Sequence, residues 1–385
     1  MKTGKQTSFW LETPAGTSAI AVTTLTGPDA GILVSKFFRS IKNDKPVPVP
    51  VGEFRYGVWR NHQQEPENPG VADIHATGED LLVCRTDDER FEIHSHGGRI
   101  ATTRIASDLQ NSGAILSTWQ ENLLATIPWY RAWPEIVFQQ ATTLRTASIL
   151  GHQRHNWIRL GERMRQAIDG HSLVIDPLQL TLEWENFGRH LTIPRKLVLF
   201  GPPNAGKSSL MNRLGGFDRS IIHDVPGTTR DVVTHASAID GWPVEFLDTA
   251  GIRIGIDDIE RQGIDLARTA ISSAELRMLV LDSANVPDCD QLNELLETNP
   301  GLIVWNKVDL SLHAKNDLGN SITVSALTGE GVPELIHRIG ELLVPKFPES
   351  DLAIPLNEEM ASQLQKALAF AIEDNRVALR QLFAK

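Results

Sequence analysis

The stretch Gly201-Pro202-Pro203-Asn204-Ala205-Gly206-Lys207-Ser208 decides how this chain is read. A glycine, four intervening residues and then Gly-Lys-Ser describe a turn whose backbone N–H groups, with the N-terminus of a following helix, cradle phosphates. The setting agrees, because the apolar run 196–200 predicts a strand directly before the turn and the residues from Lys207 onward predict a helix. Lys207 is placed to neutralise β- and γ-phosphates, and the Ser208 hydroxyl to ligate Mg²⁺. Asn204, Ala205, Gly206 and Ser209 complete the phosphate-contacting candidates.

Downstream, apolar runs at 232–239, 244–247, 277–281, 302–305 and 322–324 predict the strands of an α/β domain. Asp240-Gly241 is a two-residue hairpin signal, which sets one antiparallel edge on a mostly parallel sheet. Three strand ends carry polar clusters. Asp248-Thr-Ala-Gly251 offers a carboxylate that holds Mg²⁺ through water and a Gly251 N–H for a γ-phosphate. Asn306-Lys307-Val-Asp309 offers an aspartate that accepts from both N1–H and the exocyclic amine of guanine, a pairing that adenine cannot satisfy. Ser325-Ala326-Leu327 supplies a backbone N–H for the guanine carbonyl; Asn306 taken alone is more often a strand-end cap. The loop 224–231 is polar, contains glycine and proline, and includes Thr228 and Thr229. It is suited to close over a γ-phosphate and lend Thr229 to Mg²⁺ as a switch. Together these clusters call for GTP and GDP as ligands.

Outside this region the chain is ordinary. Its 385 residues suffice for two or three domains. The composition is 41% hydrophobic and 22% charged, typical of a globular protein. Cys84 and Cys289 have no metal-ligand spacing, which excludes a disulfide scaffold or a zinc motif and suits a reducing cytoplasm. No apolar run reads as a signal peptide or a membrane span, so a soluble protein without a membrane partner is expected. A formal net charge of -11 argues against a general affinity for nucleic acid. Arg145, Arg154, Arg159, Arg163 and Arg165 lie in a helical stretch and read first as a solvated face, second as an RNA surface. A last amphipathic helix is expected over 358–383, its apolar stripe docking on the middle helices.

The order of these elements resembles the Era, EngA and MnmE branch of P-loop GTPases, and within it the MnmE (TrmE) family of tRNA-modification GTPases. The resemblance is strongest from Arg195 to about Leu343, in GPPNAGKSSLMNRL, in GTTRD at 227–231, and in DTAGIR with the later DDIERQGIDLAR. It implies an α/β P-loop GTPase domain inserted in a helical domain and preceded by a small α+β domain. The boundaries become 1–115 for a folate-binding-like domain, 116–194 plus 346–385 for the helical domain, and 195–345 for the G domain. It also implies K⁺ bound with Asn204, catalysis aided by Glu260 orienting the attacking water, and self-dimerisation through the G domains. A tetrahydrofolate derivative, the flavin protein MnmG and tRNA would be further partners. Read without the resemblance, Glu260 is a solvated carboxylate at a helix start. Ile252 follows Gly251 where Ras-like proteins carry glutamine, and an apolar side chain there cannot polarise water.

The N-terminal likeness is looser, resting on Thr13-Pro14-Ala15-Gly16, Thr77-Gly78-Glu79-Asp80 and the segment 92–98. His94 and His96 in that segment read as an ordinary pair rather than a metal site. Arginines of the family's opening segment are replaced by Thr17 and Thr24, and the chain ends Leu-Phe-Ala384-Lys385 where tRNA-modifying members carry Cys-Ile-Gly-Lys. The expectation is therefore a GTP-hydrolysing switch resembling the wobble-uridine modification GTPase, in a reduced or diverged form. The alternative is a GTPase without that activity, acting in ribosome assembly or another switch role.

Overall fold

The structure, a computed structural model, describes residues 6–13, 18–61, 78–170, 175–217, 234–248, 272–310 and 318–384. The chain divides into two compact units, Met1–Thr126 and Ile127–Lys385. Among the described residues no helix is long and apolar enough to cross a membrane.

In the first unit the elements run β1 (Ser8–Leu11), β2 (Ile20–Thr26), α1 (Ala30–Phe37), β3 (Phe38–Arg39), β4 (Phe54–Trp59), β5 (Glu79–Asp87), β6 (Arg90–His96), α2 (Arg99–Asn111), β7 (Ile115–Leu116) and α3 (Trp119–Thr126). The strands form one sheet in the order β3-β4-β5-β6-β2-β1-β7. Phe9, Leu25, Val83 and Ile93 of the strands pack with Val34 and Phe37 of α1 and with Ile105 and Leu109 of α2. A sheet with helices on one face needs this period-two alternation. Buried Asp108 is satisfied: Trp59 Nε1 donates to one oxygen at 3.0 Å and Asn61 Nδ2 to the other at 2.6 Å.

In the second unit the helices α4 (Trp129–Phe138), α5 (Leu144–Asp169), α6 (Asp176–Leu182) and α7 (Glu185–Arg189) come first. They are followed by β8 (Arg195–Phe200), α8 (Lys207–Phe217), β9 (Thr234–Ile239), β10 (Trp242–Asp248), β11 (Leu276–Asp282), α9 (Cys289–Glu297), β12 (Leu302–Asn306), β13 (Ser321–Thr323) and α10 (Val332–Leu343). Two further helices, α11 (Glu358–Ile372) and α12 (Arg376–Ala384), close the chain. The sheet order is β13-β12-β11-β8-β10-β9, with β9 antiparallel to β10 and the other pairs parallel. Leu197, Val198, Leu199 and Phe200 of β8 are all buried, because a central parallel strand is covered on both faces. Alternate residues then serve separate cores. Leu279, Leu281, Ile303 and Trp305 pack with Leu292, Leu295 and Leu296 of α9, while Met278, Val280, Leu302 and Val304 join the larger core.

The expected hairpin is present, with Asp240 and Gly241 both left-handed at φ 51° and 74°, the pattern of a two-residue turn matched to strand twist. Its tip is held by α5. The Thr143 hydroxyl, at the helix N-cap, donates to the Gly241 carbonyl at 2.7 Å, and Arg145 donates to Asp240 at 3.0 Å.

Helices from both ends of this unit pack together. Trp157 Nε1 donates to the Ile354 carbonyl at 2.7 Å, and Gln153 Nε2 and Asn156 Nδ2 both donate to Leu352 O at 2.9 Å. Trp129 Nε1 donates to Leu382 O at 3.0 Å. Gly161 allows the close approach of α4 to α5: a Cβ there would stand 2.3 Å from the Tyr130 ring. The single helix expected over 358–383 is two helices. Asp374 turns the chain at φ 51°, and Asn375 accepts from the Ala378 N–H at 3.2 Å to start α12. Leu364, Leu379 and Phe383 are buried, whereas Ile372, the last residue of α11, is 63% exposed.

Candidate nucleotide-binding site

The phosphate turn joins the end of β8 to the start of α8. Gly201, Asn204 and Gly206 are left-handed at φ 139°, 61° and 89°. Both glycines are required by space as well as conformation, since a Cβ on Gly201 would lie 2.2 Å from Val280 O and one on Gly206 would lie 2.3 Å from Asn306 Nδ2. Asparagine is the side-chain residue that best tolerates the third position. Such a succession of turns makes a nest of inward N–H groups suited to an anion. Lys207 folds back across it, its Nζ donating to Gly201 O at 2.9 Å and Pro202 O at 2.8 Å.

An open cleft of about 580 Å³ is lined by Pro203, Asn204, Gly206, Lys207, Ser208, Ser209 and Lys307. The structure thus brings Asn204, Gly206, Lys207, Ser208, Ser209 and Lys307 to one surface, while Ala205 is buried beneath it. These residues fit a polyphosphate: a cradle of backbone donors, a lysine ammonium and exposed hydroxyls. When bound there, Mg²⁺ would be held through Ser208 and K⁺ through Asn204.

Asn306 is buried, at 1% exposure, and acts as a strap. Its Nδ2 donates to Ala205 O at 2.9 Å, and its Oδ1 accepts from the Ala326 N–H at 2.9 Å. Ser325 Oγ donates to Asp309 Oδ1 and accepts from the Thr328 N–H at 3.1 Å, which aligns the aspartate. Leu327 is 78% exposed, and its carbonyl accepts from Arg213. Asp248 ends β10, opposite Leu199 in the parallel register with β8. Thr228, Thr229, Gly251 and Glu260 lie outside the described residues.

Two residues that the motifs did not point to also build the site. Arg213 of α8 donates from Nε to Ala326 O at 3.0 Å and through its other nitrogen to Leu327 O, tying the 325–327 loop to the phosphate helix. Asp282 ends β11 opposite Asn306 and accepts from Lys307 Nζ at 2.7 Å. Burial pushes its carboxyl upward, but the hydrogen bond and charge of Lys307 and the N–H groups of Ala284 and Asn285 outweigh this and hold it below the usual range. A sequence signal for Asp282 existed, since it is a carboxylate at a strand end, as Asp248 is. Arg213 had none, because its acceptors are carbonyls 113 and 114 positions away.

Elsewhere, three of the five arginines and both histidines have partners within the chain. Arg145 pairs with Asp240, Arg154 with Glu135, and Arg159 donates to Asn156 Oδ1. His94 faces Glu92 at 3.3 Å and His96 faces Glu79 at 2.6 Å, each ring with its own carboxylate.

A mostly parallel sheet carrying this turn and these strand-end clusters defines a P-loop GTPase domain, and residues 196–307 match the family described as 50S ribosome-binding GTPase. The chain is 36% identical over 198 residues to the tRNA modification GTPase MnmE of Synechococcus sp. (strain JA-2-3B'a(2-13)), covering 50% of this chain and 43% of that protein. It is 44% identical over 165 residues to the tRNA modification GTPase MnmE of Xanthomonas campestris pv. campestris (strain B100), covering 42% of this chain and 37% of that protein. The resemblance to MnmE-type GTPases therefore holds over the GTPase region, and the match spans less than half the length of these relatives. Among solved structures, the G domain of the T. maritima FeoB iron transporter is 28% identical with a TM-score of 0.30, covering 40% of this chain and 100% of that one.

Proposed function

We propose that this chain is a GTP-binding, GTP-hydrolysing switch whose nucleotide lies in the cleft between the phosphate turn and the strand ends of β11 and β12. The observation that carries the reading is the Asn306 strap, which joins Ala205 of the phosphate turn to Ala326 of the base-reading loop. Phosphate and base recognition then act on one rigid frame. In this reading Gly201, Asn204, Ala205, Gly206, Lys207, Ser208 and Ser209 hold the phosphates, and Asp309 with the 325–327 loop reads guanine. Lys307 flanks the base. Thr228, Thr229, Asp248 and Gly251 serve the γ-phosphate side, and Glu260 orients the water. Bound Mg²⁺ and K⁺ supply positive charge where it develops on the transferred phosphoryl group.

The same proposal takes 1–115 as a folate-binding-like domain, 116–194 with 346–385 as a helical domain, and 195–345 as the G domain of a cytoplasmic protein. It also includes self-association through G domains and work with MnmG on tRNA, as the family resemblance implies. Its direct test is competition of GTP against ATP in a binding titration. Asp309→Asn should lose GTP and gain xanthosine triphosphate, because an amide donates to the C2 carbonyl of xanthine. Equal binding of ATP and GTP by the wild type would refute it.

A second reading, a switch without tRNA chemistry, is favoured by the thiols. Cys84 is buried, with its pKa pushed up by burial and by Glu92, and Cys289 begins α9 of the GTPase fold. The setting of Cys84 disfavours a reactive thiolate. Purified protein with MnmG, folate, GTP and glycine or ammonium, assayed on unmodified tRNA by mass spectrometry of nucleosides, separates the two readings.

A further inference from the structure

We infer that Asp282 is a positioning residue for nucleotide binding, acting through Lys307 to fix one wall of the cleft; the inference rests on the GTP-binding reading above.

Lys307 is a non-glycine residue held at φ 66°, a conformation that persists only where the surroundings over-determine it. Its side chain is half-buried and lines the cleft beside the phosphate turn, where its Cε would lie 3.8 Å from a Cβ at Gly206. A lysine stem has four rotatable bonds, so its place on a cleft wall depends on what holds its head. Asp282 Oδ2 holds it, at 2.7 Å from Nζ. The anchor is itself rigid. Asp282 Oδ1 accepts from the Ala284 N–H at 2.9 Å, and Ser283 N–H donates to Asn306 O at 2.9 Å, so strand ends β11 and β12 are clamped where the lysine crosses between them. An ionised carboxylate suits this task, and the environment of Asp282 favours that form. Between Gly206 on one side and Asp309 two residues further along, the fixed stem presents a flat apolar edge where a planar base must enter.

The test is a double-mutant cycle read as GTP and GDP affinity in equilibrium titrations of the full chain. Asp282→Asn should weaken GTP binding roughly tenfold, the scale of one charge-assisted hydrogen bond, and weaken GDP equally because the γ-phosphate is not involved. Lys307→Ala should weaken binding too, and in that background Asp282→Asn should cause no further loss. A loss that adds fully to that of Lys307→Ala would show a merely structural role and overturn the inference. Unchanged affinity in D282N would overturn it as well. Should D282N fail to fold, Asp282→Glu keeps the charge but extends it by one methylene, and its loss of affinity must likewise vanish beside Lys307→Ala. Wild-type protein that binds no GTP removes the functional reading and this one with it, whereas GTP binding with an indifferent Asp282 removes this one alone.

Discussion

The side-chain amide of Asn306 donates to the main-chain carbonyl of Ala205 at 2.9 Å, linking the second half of the nucleotide cleft to the first across 101 residues of chain. The same amide accepts from Ala326 N–H at 2.9 Å. One buried side chain therefore ties the phosphate turn to the 325–327 loop.

Asn306→Ala leaves the Ala205 carbonyl and the Ala326 N–H without these partners in a buried setting. The expected cost is about 2–4 kcal/mol of stability, measured as a lower urea midpoint, together with weaker GTP binding. A stability loss with intact GTP affinity would mean that the strap serves folding alone.

Lys207→Ala removes the ammonium that closes over the phosphate nest. GTP affinity should fall by roughly a hundredfold, since a charge-assisted contact to phosphate is lost. The nucleotide-free protein should melt nearly as the wild type does, because Lys207 Nζ donates to two carbonyls of its own turn, Gly201 O and Pro202 O, and ties no distant elements through them. Retained affinity would move the phosphate site elsewhere.

Turnover should be faster in K⁺ than in Na⁺ at saturating GTP. Asn204→Gly tests the cation site cleanly, because glycine accepts the φ of 61° without strain while deleting the amide. The variant should lose the difference between the two salts. Glu260→Ala should lower kcat and leave GTP affinity unchanged, as for a group acting on water in the transition state. Equal rates of the wild type in both salts would exclude the potassium mechanism.

His190 makes stability depend on pH. It is buried at 4% exposure, with Nδ1 3.1 Å from Ile193 O, and burial first, then the Arg195 charge, hold its pKa below the ordinary value; Glu275 opposes this only in part. Because the folded form resists the proton, the unfolded chain binds more protons once pH falls below roughly 6.5, and stability drops as acidity increases. The slope from this group is at most about 1.4 kcal/mol per pH unit. Urea midpoints between pH 5 and 7.5 should fall less steeply for His190→Asn than for the wild type. Parallel curves would place the pH dependence on other groups.

The strands of the second sheet were legible to within about two residues at their ends, because each buried parallel strand must be a continuous apolar run, as 196–200 and 302–305 are. The turn at Asp240-Gly241 was legible for a local reason too, since left-handed backbone selects those residue types. The same holds for Gly201 and Gly206, whose places in the motif state a backbone requirement. The end of the chain was misread as one helix. A stripe of leucines predicts helix well, but it does not register one left-handed residue, Asp374, that redirects the stripe.

Sequence by itself determined that this chain carries a P-loop GTPase fold, since the phosphate turn and the strands around it are written in short runs of residues whose spacing follows backbone geometry. Only the tertiary structure decided that Asn306 is a strap, that Arg213 anchors the 325–327 loop and that Asp282 holds Lys307. Their partners lie from 20 to 114 positions away, and a hydrogen bond at that separation depends on how strands are ordered in the sheet, which no local periodicity records.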